Sequence, residues 1–204
     1  MTQIRACSTS LLAVVVLALS ACATTRPVHE WRDDKFSGPI DSVLVIAAIE
    51  RTTQRRVYED LFAQALQAFD TEAIPGYSLM TSQVELSRAT VEAAVRGRAI
   101  DAVLVTRLLG VEQVEAYEPP TAHVYYRNYH RYYEHALTET SPAYYRRYKV
   151  LSIETVLYDT ASGELIWSMQ SESIEPSTPR HLIEEQIDLT IARLNAQGLL
   201  SEKQ

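Results

Sequence analysis

Cysteine is nearly absent from this 204-residue chain: it occurs at Cys7 and Cys22 and nowhere else. Residues 23–204 therefore contain no thiol, which excludes disulfide, redox and thiolate–metal chemistry from that region. Glycine is also scarce, at six residues, which leaves little room for loops that wrap phosphate. Neither a GxSxG nucleophile elbow, nor a phosphate-binding glycine loop, nor an HExxH metal pair is present. The nine apolar residues Leu11–Leu19 are about half of the ~18–20 needed to cross a bilayer as a helix.

What the amino terminus does contain is the layout of an export leader. Arg5 and the terminal amine supply the positive flank, Leu11–Leu19 the apolar stretch, and small residues follow. Leu19, Ser20, Ala21 and Cys22 resemble the bacterial lipoprotein signal, in which the cysteine sulfur receives diacylglycerol. The resemblance implies a signal peptide over residues 1–21, lipidation of Cys22 (palmitate being a common acyl group), and attachment to a membrane without spanning it. Ala23, not aspartate, follows the cysteine, so the resemblance implies the outer membrane, with the protein facing the periplasm. An ordinary secretory cut near Ala21 or Ala23 is the competing reading.

Losing Arg5 with the leader leaves 18 basic against 26 acidic residues, a net charge of −8. That surface as a whole repels nucleic acid, and no nucleic-acid partner is expected. Residues 22–39 are polar and contain Pro27, Gly38 and Pro39, which predicts a lipid-anchored tether, with Trp31 and Phe36 docking on the domain. A single domain is expected over 40–200, with a tyrosine-rich insertion at about 117–148.

Within that domain VLVIAAI, residues 43–49, suits a strand buried on both faces. Val57, Tyr58, Leu61, Phe62, Ala65, Leu66 and Phe69 recur at helical spacing, with Thr52 or Thr53 as cap. A short strand is predicted near Tyr77–Met80, a helix over Ser87–Arg96 stopped by Gly97, and a long strand over 101–117. Alternation at Leu151, Ile153, Thr155, Leu157 and at Leu165, Trp167, Met169, around the turn composition DTASG, predicts a hairpin. Thr178 and Pro179 open a last helix carrying Ile183, Ile187, Ile191 and Leu194. The fold class is α/β: a mixed sheet of about five strands in the order β-α-β-α-β-β-β-α, with helices packed on the sheet.

The lipid signal at Cys22, VLVIAAI, DAVLVTRL and ETVLYDTASGELIWS together resemble a family of uncharacterised bacterial lipoproteins that carry a tyrosine-rich insertion between the third and fourth strands. The element order is similar, more distantly, to lipoprotein activators of peptidoglycan synthases, the curli-secretion lipoprotein and the amino-terminal domain of the Tol translocation protein. Those proteins act by docking on other proteins. The resemblance implies no catalytic residue and no cofactor; Cys22 alone carries over.

The insertion holds nine of the twelve tyrosines. Tyr125, Tyr126, Tyr129, Tyr132 and Tyr133 follow the spacing of one helical face, with Arg127, Asn128, His130 and Arg131 on the other. Between His123 and Lys149, five basic residues face two acidic ones. Tyrosine supplies rigid contact area with a hydroxyl that tolerates water, and arginine pairs with carboxylate or phosphate. Tyr125, Tyr126, Tyr129, Tyr132, Tyr133, Arg127 and Arg131 are thus the candidate docking residues, for an envelope protein, a glycan or a lipid headgroup layer. One competing reading packs the tyrosines on the domain's own sheet, with Tyr144, Tyr145 and Tyr148 extending the fourth strand. Another is a metal or small-ligand carrier using His123, His130 and Glu134, with the Arg127 cation set among them. A third is an envelope hydrolase; His181 and Glu184 in HLIEE lack the second histidine of a metal site. The reading that follows is a non-catalytic, lipid-anchored binding or adaptor module of the cell envelope.

Overall fold

Seven residues, Ser42–Ala48, form strand β2, and all but Ala48 are buried. Val43, Val45 and Ala47 point into one hydrophobic cluster and Leu44 and Ile46 into another. An unbroken apolar run is what a strand covered on both faces requires. The computed structural model describes residues 24–80, 86–119, 121–122, 140–141 and 143–201. Along the chain, the elements are β1 (Thr25–Arg32), β2, helix α1 (Thr52–Leu66), β3 (Glu72–Pro75), the one-turn helix α2 (Gly76–Leu79), α3 (Arg88–Val95) and β4 (Ala102–Glu118). There follow β5 (Thr121–Ala122), β6 (Thr140–Ser141), β7 (Tyr144–Asp159), β8 (Leu165–Ile174) and α4 (Pro179–Ala196).

The chain divides into two compact units, one running to Gly110 and resuming at Leu151, the other comprising Val111–Val150. β4 and β7 contribute residues to both. The main sheet has the order β1-β8-β7-β4-β2-β3, with β3 and β4 each parallel to β2. In the first unit, α1 and α4 cover the face of Val43 and Val45, where Phe62, Leu66, Ile187 and Leu194 complete the core. α3 covers the face of Leu44 and Ile46 through Val91, Ala94 and Val95. Parallel neighbours need a crossover, and chains moving in opposite directions from β2 place successive crossovers on opposite faces. The expected α/β architecture is therefore what the chain adopts. In the second unit, β5 and β6 form a two-stranded antiparallel ladder.

Several local expectations hold for identifiable reasons. Ser87 caps α3 in a reciprocal capping box with Thr90, and Gly97 takes the left-handed conformation, φ 74°, that ends the helix region. Thr178 accepts a hydrogen bond from His181 N, and Pro179 opens α4. Asp159 accepts from the backbone and hydroxyl of Ser162 in the turn between β7 and β8.

Three expectations are corrected. Helix α1 begins one residue earlier than the threonines would set it: Arg51 is the cap residue, without a side-chain cap bond, and Thr52 and Thr53 lie inside the first turn. The short strand predicted at Tyr77–Met80 is displaced to Glu72–Pro75, and Gly76–Leu79 form α2 instead. Gly76 packs so closely on β2 that a β-carbon would sit 2.9 Å from the Val45 carbonyl oxygen, an approach only glycine permits. Finally, Thr25–Arg32, read as tether, is a sixth strand of the main sheet. It pairs antiparallel with β8 from Thr25↔Ser173 to Arg32↔Trp167, with a bulge between Pro27 and His29. Proline and a bulge are tolerated here because β1 is an edge strand. Phe36 packs against the core as expected, whereas Trp31 is about half exposed.

Side chains lock β1 to α4 at both ends. Glu185 accepts from Thr24 N at 2.9 Å, Thr24 Oγ1 at 2.6 Å and Thr25 Oγ1 at 2.8 Å. Glu30 accepts from Trp167 Nε1 at 2.9 Å and Gln197 Nε2 at 3.2 Å, and pairs with Arg193 at 2.6 Å. Arg32 donates to the carbonyls of Gln197 and Phe36.

Burial alone disfavours the Glu185 carboxylate, but the donors on Thr24 and Thr25 and the nearby His181 outweigh it, so its pKa is held below the ordinary glutamate value. A depressed carboxylate stabilises the fold fully above the ordinary value of 4.5 and loses that contribution as pH falls through the folded value. The melting-temperature deficit of Glu185→Gln relative to the unaltered chain should be largest at pH 7 and shrink between pH 4.5 and pH 3 (approximate bounds from that linkage). A deficit independent of pH would mean that the Glu185 charge does not hold β1.

Candidate functional site

The carboxyl end of β2 is where connections to its two parallel neighbours diverge, and open α/β sheets form ligand crevices at such points. A cavity of about 490 Å³ opens there, within the first unit. Ala48, Ile49 and Glu50 line it after β2, Thr106 and Leu108 from β4, Leu151 and Ile153 from β7, and Leu182 and Ile183 from α4. Its volume falls in the range of about 300–1,000 Å³ usual for small-molecule sites. Glu50, Arg51, Gln54 and Arg107 supply the charged and polar groups of the lining, and Arg107 is held by Glu154 at 2.6 Å.

A chain of buried polar side chains underlies this cavity. The Tyr58 hydroxyl pairs with Thr106 Oγ1 at 2.8 Å, and Thr106 with Thr155 Oγ1 at 3.1 Å. Gln186 Nε2 donates to Thr155 at 3.3 Å and to Thr190 at 3.4 Å, while its Oε1 accepts from Ser171 at 2.7 Å. Thr190 in turn donates to the Gln186 carbonyl. Burial pushes the Tyr58 pKa well above its ordinary value, against a smaller opposing effect of the Thr106 hydrogen bond, so the phenol stays neutral. Each polar group in this network has a partner, which is the condition for keeping it inside a core.

Glu59 closes the same end of β2 from below. Its carboxylate is fully buried and accepts from Ala47 N at 3.0 Å, Tyr77 N at 2.6 Å and Arg55 Nε at 2.9 Å. It thereby ties the end of β2, α1 and the start of α2 to a single point. One guanidinium nitrogen of Arg55, Nη2, is buried without a hydrogen-bond partner.

The docking residues predicted from sequence, Tyr125, Tyr126, Tyr129, Tyr132, Tyr133, Arg127 and Arg131, lie outside the described residues, as do Cys22 and the alternative metal set His123, His130 and Glu134. Their flanks are described. In the second unit Tyr117 is 57% exposed, Tyr144 55% and Tyr145 70%; these tyrosines belong to strands β4 and β7 but are not packed in a core. Tyr117 and Tyr145 rings stand 5.5 Å apart across the strands, and Arg147 pairs with Glu115 at 2.5 Å. The local basic excess does not survive this pairing. Over Val111–Val150 five basic residues meet five acidic ones, because Glu112, Glu115 and Glu118 arrive on β4 beside Arg146, Arg147 and Lys149 on β7. The second unit is electrically balanced and aromatic.

Elsewhere, His181 Nε2 lies 3.3 Å from Glu185, while Glu184 pairs with Arg180, so His181 and Glu184 do not converge. Asp101 accepts from Ser42 N. Among the described residues, no three His, Cys, Asp or Glu side chains are grouped as a metal site, and no helix is long and apolar enough to cross a membrane.

The cavity is the feature that sequence reasoning missed. Its walls come from four separated segments with no shared motif. The available signal was the placing of Thr106, Thr155 and Gln186 on otherwise apolar faces.

No family model matches the chain, and no curated protein matches it. Among solved structures, it is similar to the PelC dodecamer of Paraburkholderia phytofirmans, at 12% identity and a TM-score of 0.46, over 83% of this chain and 96% of that one. It is also similar to lipoprotein GNA1162 of Neisseria meningitidis, at 12% identity and a TM-score of 0.38, over 76% of this chain and 98% of that one. The match to a bacterial lipoprotein is distant and partial.

The buried groups around β2 differ in what their removal leaves behind. Glu59→Ala strips three donors, that of Ala47 fully buried, of their acceptor and should cost about 3–5 kcal/mol, whereas Tyr58→Phe leaves Thr106 bonded to Thr155 and should cost about 1 kcal/mol. Urea denaturation of both variants checks this; similar losses would contradict the role assigned to Glu59.

Proposed function

We propose that this chain is a lipid-anchored protein of the cell envelope, attached through Cys22 to the outer membrane and facing the periplasm, that binds a partner and catalyses no reaction. The lipid signal of the leader supports the anchor. The observation that carries the binding role is the exposure of tyrosines in the second unit: Tyr117, Tyr144 and Tyr145 are exposed on paired strands, the rings of Tyr117 and Tyr145 standing together, in a segment that continues into the tyrosines at 125–133. An exposed aromatic group of this type matches the composition of interface cores, where tyrosine is enriched and charge depleted.

Charge balance selects among the partners. Binding to an anionic headgroup layer draws on an excess of lysine and arginine, each worth about 1 kcal/mol near the surface. The second unit has no such excess. A protein partner in the envelope fits better than a lipid headgroup layer or a glycan, since Arg147, two residues from Tyr145, is already paired with Glu115.

A photoreactive phenylalanine analogue placed at Tyr117 or Tyr145 should crosslink a protein in intact cells, while one at Tyr158, in the first unit, should not. Replacing Tyr117, Tyr144 and Tyr145 together with alanine should abolish capture from position 129. Crosslinking that is equal from Tyr158 and Tyr145, or absent from both, counts against the docking role.

A further inference from the structure

The buried polar side chains of the cavity beside β2 offer a ligand almost nothing to hydrogen-bond. Tyr58, Thr106 and Gln186 face it, yet all three are committed to one another and to Thr155, Ser171 and Thr190. The buried polar atoms left unpartnered among the described residues belong to Ser42, Arg55, Ser173 and Arg193, and none of these lines the cavity. Of the remaining lining, Ala48, Ile49, Leu108, Leu151, Leu182 and Ile183 are aliphatic, while Glu50, Arg51 and Arg107 are solvent-exposed charged groups and Gln54 is partly exposed. An occupant gains from desolvation and dispersion against the aliphatic walls while its polar end meets exposed charged groups, which is the chemistry of a hydrocarbon chain carrying a polar head.

The amino-terminal lock says where such a chain comes from. Thr24 is fastened to Glu185 by two hydrogen bonds, and Cys22 precedes Thr24 by two residues. At 3.3–3.6 Å per residue, the lipidated residue lies within about 7 Å of Thr24, so no long tether separates the domain from its membrane. On α4, Glu185 holds Thr24, while Pro179, Leu182, Ile183 and Gln186 line the cavity. The anchor point and the cavity wall are flanks of one helix, about 10–12 Å across with its side chains. A membrane lipid chain covers about half of a ~30 Å hydrocarbon layer, which is enough to pass that distance.

We infer that the cavity formed by β2, β4, β7 and α4 accepts one fatty acyl chain at the membrane surface. This rests on the lipid-anchor reading for the proximity of the membrane, not for the chemistry of the cavity. The chain has two sources, a phospholipid of the bilayer or the acyl groups on Cys22 itself.

The test uses the full chain extracted from membranes and reconstituted into phosphatidylethanolamine–phosphatidylglycerol vesicles. In one arm the vesicles contain a phospholipid with a diazirine in its acyl chain; in the other, diazirine fatty acid is loaded metabolically on Cys22 and the vesicles are unlabelled. Irradiation, digestion and mass mapping should place adducts on the peptides containing Leu151–Ile153 and Pro179–Gln186. Adducts in the first arm identify a bilayer lipid as the occupant; adducts in the second identify the protein's own acyl group. Ala48→Phe, at an exposed position of the lining, and Leu151→Trp should each lower that labelling by at least about fivefold, more than the loss from removing one methylene of binding surface. Labelling of the lining peptides in neither arm, or labelling unchanged in both variants, overturns the inference. Intact mass showing an unmodified Cys22 sinks the anchor alone, because the first arm still reads whether the cavity takes a chain.

Discussion

One buried carboxylate sets the geometry of the carboxyl end of β2. Glu59 has no contact with solvent, and burying a charge costs several kcal/mol unless donors surround it. The donors it recruits are the backbone of Ala47, the backbone of Tyr77 and the guanidinium of Arg55. Because these belong to β2, α2 and α1, satisfying the charge fixes where the strand stops and how the next crossover leaves it. Gly76 completes the arrangement by bringing α2 against the Val45 carbonyl. The cavity opens immediately beyond, at Ala48 and Ile49, so its position follows from the same electrostatic requirement.

The elements legible in the sequence are those whose burial is periodic. β2, α1, α3, β4, the β7–β8 hairpin and α4 each repeat apolar residues at the spacing of their own geometry, and capping residues mark α3 and α4. What was not legible is stabilised by groups the pattern does not see. β1, with the sequence TRPVHEWR, has little buried side-chain surface; it exists through backbone pairing with β8 and through Glu30 and Glu185, whose partners lie about 140–165 residues away. α1 lacks the expected threonine cap because Arg51 begins the helix. The aromatic segment was read correctly as tyrosine-rich, but its apparent basic character was a property of the chosen window. Pairing β4 with β7 brings Glu112, Glu115 and Glu118 beside it and cancels the excess.

The two polar systems in the first unit serve different ends. The network from Tyr58 through Thr106, Thr155 and Gln186 to Ser171 crosses from α1 to α4 between two strands. Each member is neutral and satisfied, so it specifies how the helices sit on the sheet at small electrostatic cost. The Glu30 and Glu185 systems are ionic and lie along the sheet edge, where they hold a strand that packing alone would leave loose. Edge strands ordinarily present unpaired backbone to other chains; Pro27 and the bulge at Pro27–His29 interrupt that surface on β1.

The pairing of β1 with β8 also imposes an order of events on folding. Thr25 meets Ser173 and Arg32 meets Trp167, so a segment synthesised near the start of the chain has its partners almost at the end. Contacts of such long sequence separation form late, after most loop-closure entropy has been spent. On a ribosome or in any channel that passes the amino terminus first, β1 stays unpaired until the hairpin and α4 have emerged. During that interval its strand edge is open, and the charged residues Arg26, Glu30 and Arg32 keep it soluble while it waits.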